Sequence, residues 1–429
     1  MLKKNQPLQI FGWSMFDFAN TSFTVIVVTV IFPVYFKDTI CTIDSFSLLG
    51  FQFQNPADFF WGIGSSLAYL IVALTAPILG AMSDFTSRKK KYIFYYSLLC
   101  ISATIGIFYL QPGDIFWAIL LYVLGNVGFE TGIIFYDAFL PVISTEEKYS
   151  KFSGYGYAAG YLGALISLGI AFLYFGSDSF KDIFIIGGAF FLVTSLPFFF
   201  LVKEEKKPRV ATFTTAISHS VSQVKSTLKK LRDYPAIIQF IGSYFLYING
   251  VGTIIAFGGL YASGALGFSL KEVIVFFALV QFFAMIGSFL FGFIGQKVGD
   301  YQALCSTLIM WMFVCVGAFM ASFVPFKKEL FYFVGVLAGL SLGSCQSLSR
   351  SYFSRMLPKG REAEFFGFYA VCGRFAAIVG PFFFGIISSM TGKQELAVLS
   401  VFVFFLAGLL MLRGVPVRIE QQHISAKSL

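Results

Sequence analysis

The chain alternates between long apolar runs and short polar breaks. A membrane-spanning helix needs about 20 mostly apolar residues. Twelve runs meet that length, at roughly residues 11–36, 59–82, 92–110, 115–138, 154–175, 183–202, 236–261, 272–296, 302–323, 330–352, 365–390 and 396–412. The pattern predicts an all-α membrane protein with twelve transmembrane helices in two pseudo-symmetric six-helix bundles, over 1–202 and 236–413. Between them, 203–235 forms a linker, and 414–429 a short tail. In the linker Phe213, Ile217, Val224, Leu228 and Leu231 recur at helical spacing, with Lys225, Lys229, Lys230 and Arg232 between them. That spacing predicts an amphipathic helix lying on the inner leaflet, tethering the halves, with a regulatory role left open.

Composition supports the membrane reading. The 429 residues are 57% hydrophobic and 12% charged, against roughly 45–50% and 25% in soluble domains. That charge does not suffice to cover a soluble surface. Lysine and arginine then set the orientation, because cytosolic loops are enriched in them. With the N-terminus in the cytosol, 24 of the 31 fall on the inner side, Arg350 and Arg355 among them. Six fall outside, and Arg374 is left inside a span. Both termini are expected in the cytosol of a multi-pass protein of the bacterial inner membrane. The first run exceeds a signal-peptide core and has no small-residue cleavage site after it, so it reads as the first span. The +9 net charge belongs to this inner surface and implies no nucleic-acid partner.

Several chemistries are disfavoured. The six cysteines are scattered without a C-x-x-C pair, and the two histidines, His219 and His423, lie in polar segments. No metal site, cofactor or catalytic residue is expected. No G-x-x-x-x-G-K-[ST] phosphate loop appears. The expected partners are a small-molecule substrate, membrane lipids and a proton as candidate coupling ion, with the chain a monomer.

The halves resemble one another. "GAMSDFTSRKKK" from Gly80 returns as "GFIGQKVGDYQA" from Gly292, 212 residues on. Gly154 and Gly160 return as Gly367 and Gly373 at an offset of 213, and Asn20 aligns with Asn249. Internal repeats of this kind mark transporters whose substrate site lies near midplane between the halves.

Twelve spans, a basic central loop and "GAMSDFTSRKKK" resemble the major facilitator superfamily. Its signature G-x-x-x-D-x-x-x-R-K is met by Gly80, Asp84, Arg88 and Lys89, with Ser87 where glycine is usual. The second copy is degenerate, with Gln296 for the acid and Asp300 for the arginine. "WSMFDFANT" at Trp13 and "FYDAFLP" at Phe135 resemble the vacuolar amino-acid effluxer-like branch. The resemblance implies a secondary transporter working by alternating access, not an enzyme. It also implies amino acids or similar zwitterions as substrate. An exporter of lipids or hydrophobic compounds, or a non-transporting receptor or scaffold, remain alternatives.

Charged residues inside a span cost about 2.5–3.5 kcal/mol on insertion scales, so each should face a cavity or a partner. At about 1.5 Å per residue, Asp17 and Glu130 both lie roughly 9 Å from the inner face, and Arg374 about 13 Å into its span. Asn20 stands one turn above Asp17. These residues, with Asn249, form the candidate substrate and proton site. Asp17 and Glu130 are expected to make a polar floor that exchanges a proton or holds an ammonium, and Arg374 to hold a carboxylate. A purely structural ion-pair network is the alternative. The resemblance implies an inner gate as well, in which Asp137 pairs with Arg88 and Asp84 faces the start of the eleventh span. The glycines of the fifth span read as helix packing.

Overall fold

A computed structural model describes residues 5–29, 31–43, 46–48, 51–53, 56–174, 180–204, 213–229, 231–264, 266–391 and 394–415. Among the described residues fifteen α-helices run in order: α1 Pro7–Phe23, α2 Ile31–Tyr35, α3 Pro56–Thr86, α4 Lys89–Ile107, α5 Ile115–Asp137, α6 Leu140–Ile143, α7 Tyr149–Tyr174, α8 Asp182–Leu201, α9 Phe213–Lys229, α10 Pro235–Gly264, α11 Leu270–Val298, α12 Asp300–Ala321, α13 Lys327–Met356, α14 Glu362–Thr391 and α15 Gln394–Leu412. A short antiparallel hairpin, β1 Phe46–Leu48 and β2 Phe51–Phe53, lies in the connection after the first span.

Ten helical segments among the described residues are long and apolar enough to cross a membrane. The two other expected spans correspond to α4 and α14, which lie outside those ten. The first span opens with Pro7 in its first turn, where the missing N–H costs nothing. It passes through π-helical turns at Thr24–Thr29 and Phe36–Ile40 and ends at Ile40, beyond the predicted Phe36. Pro33 and a β-branched run account for this loosening, since both disfavour regular α-helix. At α11, Ser269 and Glu272 form a reciprocal capping box. Lys328 and then Ser269 hold the Glu272 carboxyl down at about 2.

Among the helices before α9, α1 packs on α7 and α8, and α4 on α5. Among the helices after α9, α10 packs on α14 and α15, and α13 on α11 and α12. The two sets meet through α3 against α14 and α7 against α11 and α13. Close backbone contacts between them occur at the end that carries the lysines of α4, called here the basic end. A Cβ on Gly154 of α7 would enter the Ser288 carbonyl and reach within 2.9 Å of Gly292 Cα on α11. Glycine permits that backbone contact.

One expectation is corrected here. Arg350, counted with the inner surface charges, is 1% exposed inside α13, which runs on to Met356. Helix α9 packs against α3, and Ser220, Val224 and Thr227 are buried on it. The side chains of Phe213, Ile217, Leu228 and Leu231 lie outside the described residues, as does nearly all of the 414–429 tail.

Candidate functional site

The densest intramembrane charge cluster is centred on Arg350. Its Nη1 donates to Asp17 Oδ2 on α1 at 3.1 Å and to Asp137 Oδ1 on α5 at 3.0 Å. Its Nε donates to Ser153 Oγ and its Nη2 to the Ser153 carbonyl on α7, both at 2.9 Å. Aromatic faces enclose the guanidinium, with Tyr157 at 4.2 Å, Trp13 at 4.7 Å and Tyr136 at 5.6 Å from its centre. Such cation–π contacts strengthen where water is excluded. The Tyr136 hydroxyl donates to Asp17 Oδ2 at 2.9 Å, and the Trp13 indole donates to the Tyr136 carbonyl at 3.2 Å while its ring stacks on Tyr136. Trp13, Phe16 and Asp17 of the opening motif are thus joined through Tyr136 of the second motif.

This cluster contains two carboxylates and one guanidinium. A buried ion pair tolerates its desolvation only when the charges are matched and the remaining groups are hydrogen-bonded. One extra carboxylate is left over. Gly156 is required beside it, since a Cβ there would lie 2.7 Å from both Arg350 Nη2 and Asp17 Oδ2.

A second charged pair is separate. Arg374 Nη2 on α14 bonds Glu130 Oε2 on α5, and the guanidinium lies 5.3 Å from the Tyr69 ring on α3. The Arg374 side chain is 31% exposed and that of Glu130 5%. This pair therefore presents its basic member to the space between the helices. The expected floor is divided: Asp17 belongs to Arg350 and Glu130 to Arg374. Asn20 is buried beside Thr21, and its Nδ2 has no partner among the described residues. Asn249 is committed to backbone, donating to the Phe245 carbonyl at 2.6 Å and accepting from the Gly380 N–H at 2.7 Å. It ties α10 to α14.

At the basic end Lys89 bridges Asp84 at 2.8 Å and Glu362 at 3.2 Å. Burial opposes its charge, yet Asp84 and Glu362 together outweigh burial and hold Lys89 above the ordinary lysine range. Asp84 Oδ2 accepts the Glu364 N–H at 3.0 Å, in the first turn of α14. A carboxylate there satisfies an orphan donor and faces the positive end of the helix dipole. The expected Arg88–Asp137 pair is corrected, because Asp137 is paired with Arg350. Gly80 of the signature abuts the Ala363 carbonyl.

The second signature has a working counterpart that sequence reasoning passed over. Gly299 takes φ +96°, a conformation glycine adopts freely, and so turns the chain into Asp300. Asp300 Oδ2 accepts from Arg355 Nε and Ser351 Oγ, both at 2.6 Å, and Oδ1 accepts from Ser150 Oγ of α7. One signal in the sequence pointed to Arg350. It stands 213 residues after Asp137, the offset that relates Gly154 to Gly367.

Two helix sets joined through buried charges at one end have the plan of a major facilitator protein. Solved structures agree on the fold. A bacterial homologue of the iron transporter ferroportin, in an outward-facing state, matches with TM-score 0.68 at 15% identity over 96% of this chain and 98% of its own. The proton:xylose symporter XylE matches with TM-score 0.70 at 14% identity over 95% and 94%. The model of the "Vacuole effluxer Atg22 like" family matches residues 57–424, and the chain belongs to that family. The MFS-type transporter YxiO of Bacillus subtilis is 28% identical over 94% of both chains. Autophagy-related protein 22 of Kluyveromyces lactis is 24% identical over 77% of this chain and 73% of its own. The family is one of transporters, not enzymes.

Proposed function

We propose that the chain moves amino acids or similar small zwitterions across the membrane by alternating access, coupled to a proton. The basic end is assigned to the cytosol, and the structure, tightly closed there, to an outward-facing state. The carrying observation is the Arg350 cluster, with two carboxylates to one guanidinium and partners in both halves. A proton on Asp17 or Asp137 removes the surplus charge and one arm of the tie across the halves. Arg374 and Glu130 offer the two charges that a zwitterion needs, exchanging their mutual pair for the substrate's carboxylate and ammonium. Membership of an effluxer family supports export.

The test is transport in proteoliposomes loaded with a mixture of labelled amino acids, with and without a pH gradient. Asp137→Asn leaves Arg350 matched one to one with Asp17. It should abolish gradient-driven accumulation while sparing counterflow exchange. Undiminished driven transport would exclude the cluster as the coupling site. Absence of flux for every amino acid would exclude the substrate class.

A further inference from the structure

Glu364 is where three parts of the molecule meet. It is fully buried in the first turn of α14. Its backbone N–H goes to Asp84 of α3. Its carboxylate accepts from Arg361 Nε and Nη2, both at 2.8 Å. It also accepts from two side chains of the linker helix α9, Gln223 Nε2 at 2.5 Å and Thr227 Oγ1 at 2.6 Å. One turn before Gln223 on α9, the His219 ring stacks on Phe85 at 4.2 Å. Phe85 directly follows Asp84. Helix α9 therefore touches α3 and α14 at once, over the point where Asp84 caps α14.

In alternating access the basic end opens when α3 and α14 part. Helix α9 cannot then keep both contacts. The α3 contact is broad, the helix packing along α3 with the His219 ring on Phe85, so α9 stays with α3. The α14 contact is a pair of hydrogen bonds to a buried carboxylate, and hydrogen bonds to charged groups are the stronger class. Releasing α9 leaves Glu364 with Arg361, so no charge is stranded by the change. The contact is thus strong enough to bias the gate and cheap enough to break.

We propose that α9 is a clamp on the closed basic end, holding Glu364 through Gln223 and Thr227, and that it must leave Glu364 for that end to open. The inference rests on alternating access and is independent of which substrate is carried.

The experiment places a reporter cysteine at Ser347 in a chain whose six native cysteines are replaced by alanine. Ser347 is fully buried on α13, and its carbonyl accepts from Ser153 Oγ of α7. Labelling by a membrane-impermeant maleimide from the basic side, without substrate, reads opening of that end. Gln223→Ala with Thr227→Val should speed labelling on the order of tenfold, the equivalent of one hydrogen bond to a charged group. Ser222→Ala with Ser226→Ala, on the exposed face of α9, should leave the rate unchanged. An unchanged or slower rate in the Gln223/Thr227 variant, with an unaltered thermal midpoint, overturns the clamp. If the double variant does not fold, Gln223→Ala alone is read by the same criterion. Because no substrate is present, failure here is distinct from failure of the amino-acid assignment.

Discussion

Arg350 commits four of its five N–H groups to protein acceptors and stacks its plane among three aromatic rings. Lysine has neither the fork nor the plane. Arg350→Lys should therefore abolish transport while the protein still reaches the membrane. Arg350→Met strands two buried carboxylates, and losing one partner of a buried pair costs about 3–5 kcal/mol. Its folded yield in detergent should collapse. Gly156→Ala forces a methyl between Arg350 and Asp17, and overpacking of this kind costs about 1–3 kcal/mol. Thermal unfolding should register that loss, and transport should fall with it. Ser87 occupies the left-handed region at φ +49° where the family signature has glycine. Ser87→Val should cost about 1–2 kcal/mol, whereas Ser87→Gly should be tolerated. The intramembrane residues themselves were legible, since Asp17, Glu130, Asp137 and Arg374 each interrupt an apolar run. Their partners were not. Arg350 lies close to the end of its run, and a count of surface charges absorbs it there. Only packing shows that α13 continues to Met356 and buries it.

The helices carry two mirrored ties at the basic end. Asp84 of α3 caps α14, and Asp300 of α12 joins Ser150 of α7 to Ser351 and Arg355 of α13. Loss of a cap costs about 0.5–2 kcal/mol. Asp84→Asn and Asp300→Asn should each raise cysteine labelling from the basic side several-fold. The two ties act on the same opening through separate contacts, so the double variant should show the product of the single increases. A double effect no larger than either single one would mean that one tie governs the gate alone. The spans were legible because length and apolar content are local properties. The second tie was not, because its acid sits at 300 instead of 296, beyond a turn that only Gly299's positive φ explains. The docking of α9 was equally hidden. Its apolar stripe suggested a membrane surface, and nothing in the spacing marks Gln223 and Thr227 as partners of Glu364.

At the scale of the whole molecule, the charge distribution makes its own prediction. Lysines and arginines outnumber acids by 31 to 22, and most lie in alternate connections. A C-terminal green fluorescent protein fusion should fluoresce, and a C-terminal alkaline phosphatase fusion should be inactive. The reverse pattern would invert the orientation and, with it, the direction assigned to the closed state. The superfamily fold was readable from the twelve runs and the repeat. The state of the molecule was not, because which end is closed depends on contacts between helices far apart in sequence.

The pairing of Asp137 with Arg350 has a historical consequence. The two positions correspond across the internal repeat, yet they touch one another. In a symmetric dimer of half-length chains, a position on the axis meets its own copy. Two aspartates or two arginines would have faced each other there, unable to pair. Opposite charges at this contact require the two copies to differ. The Asp137–Arg350 contact thus became possible only once the two halves had diverged.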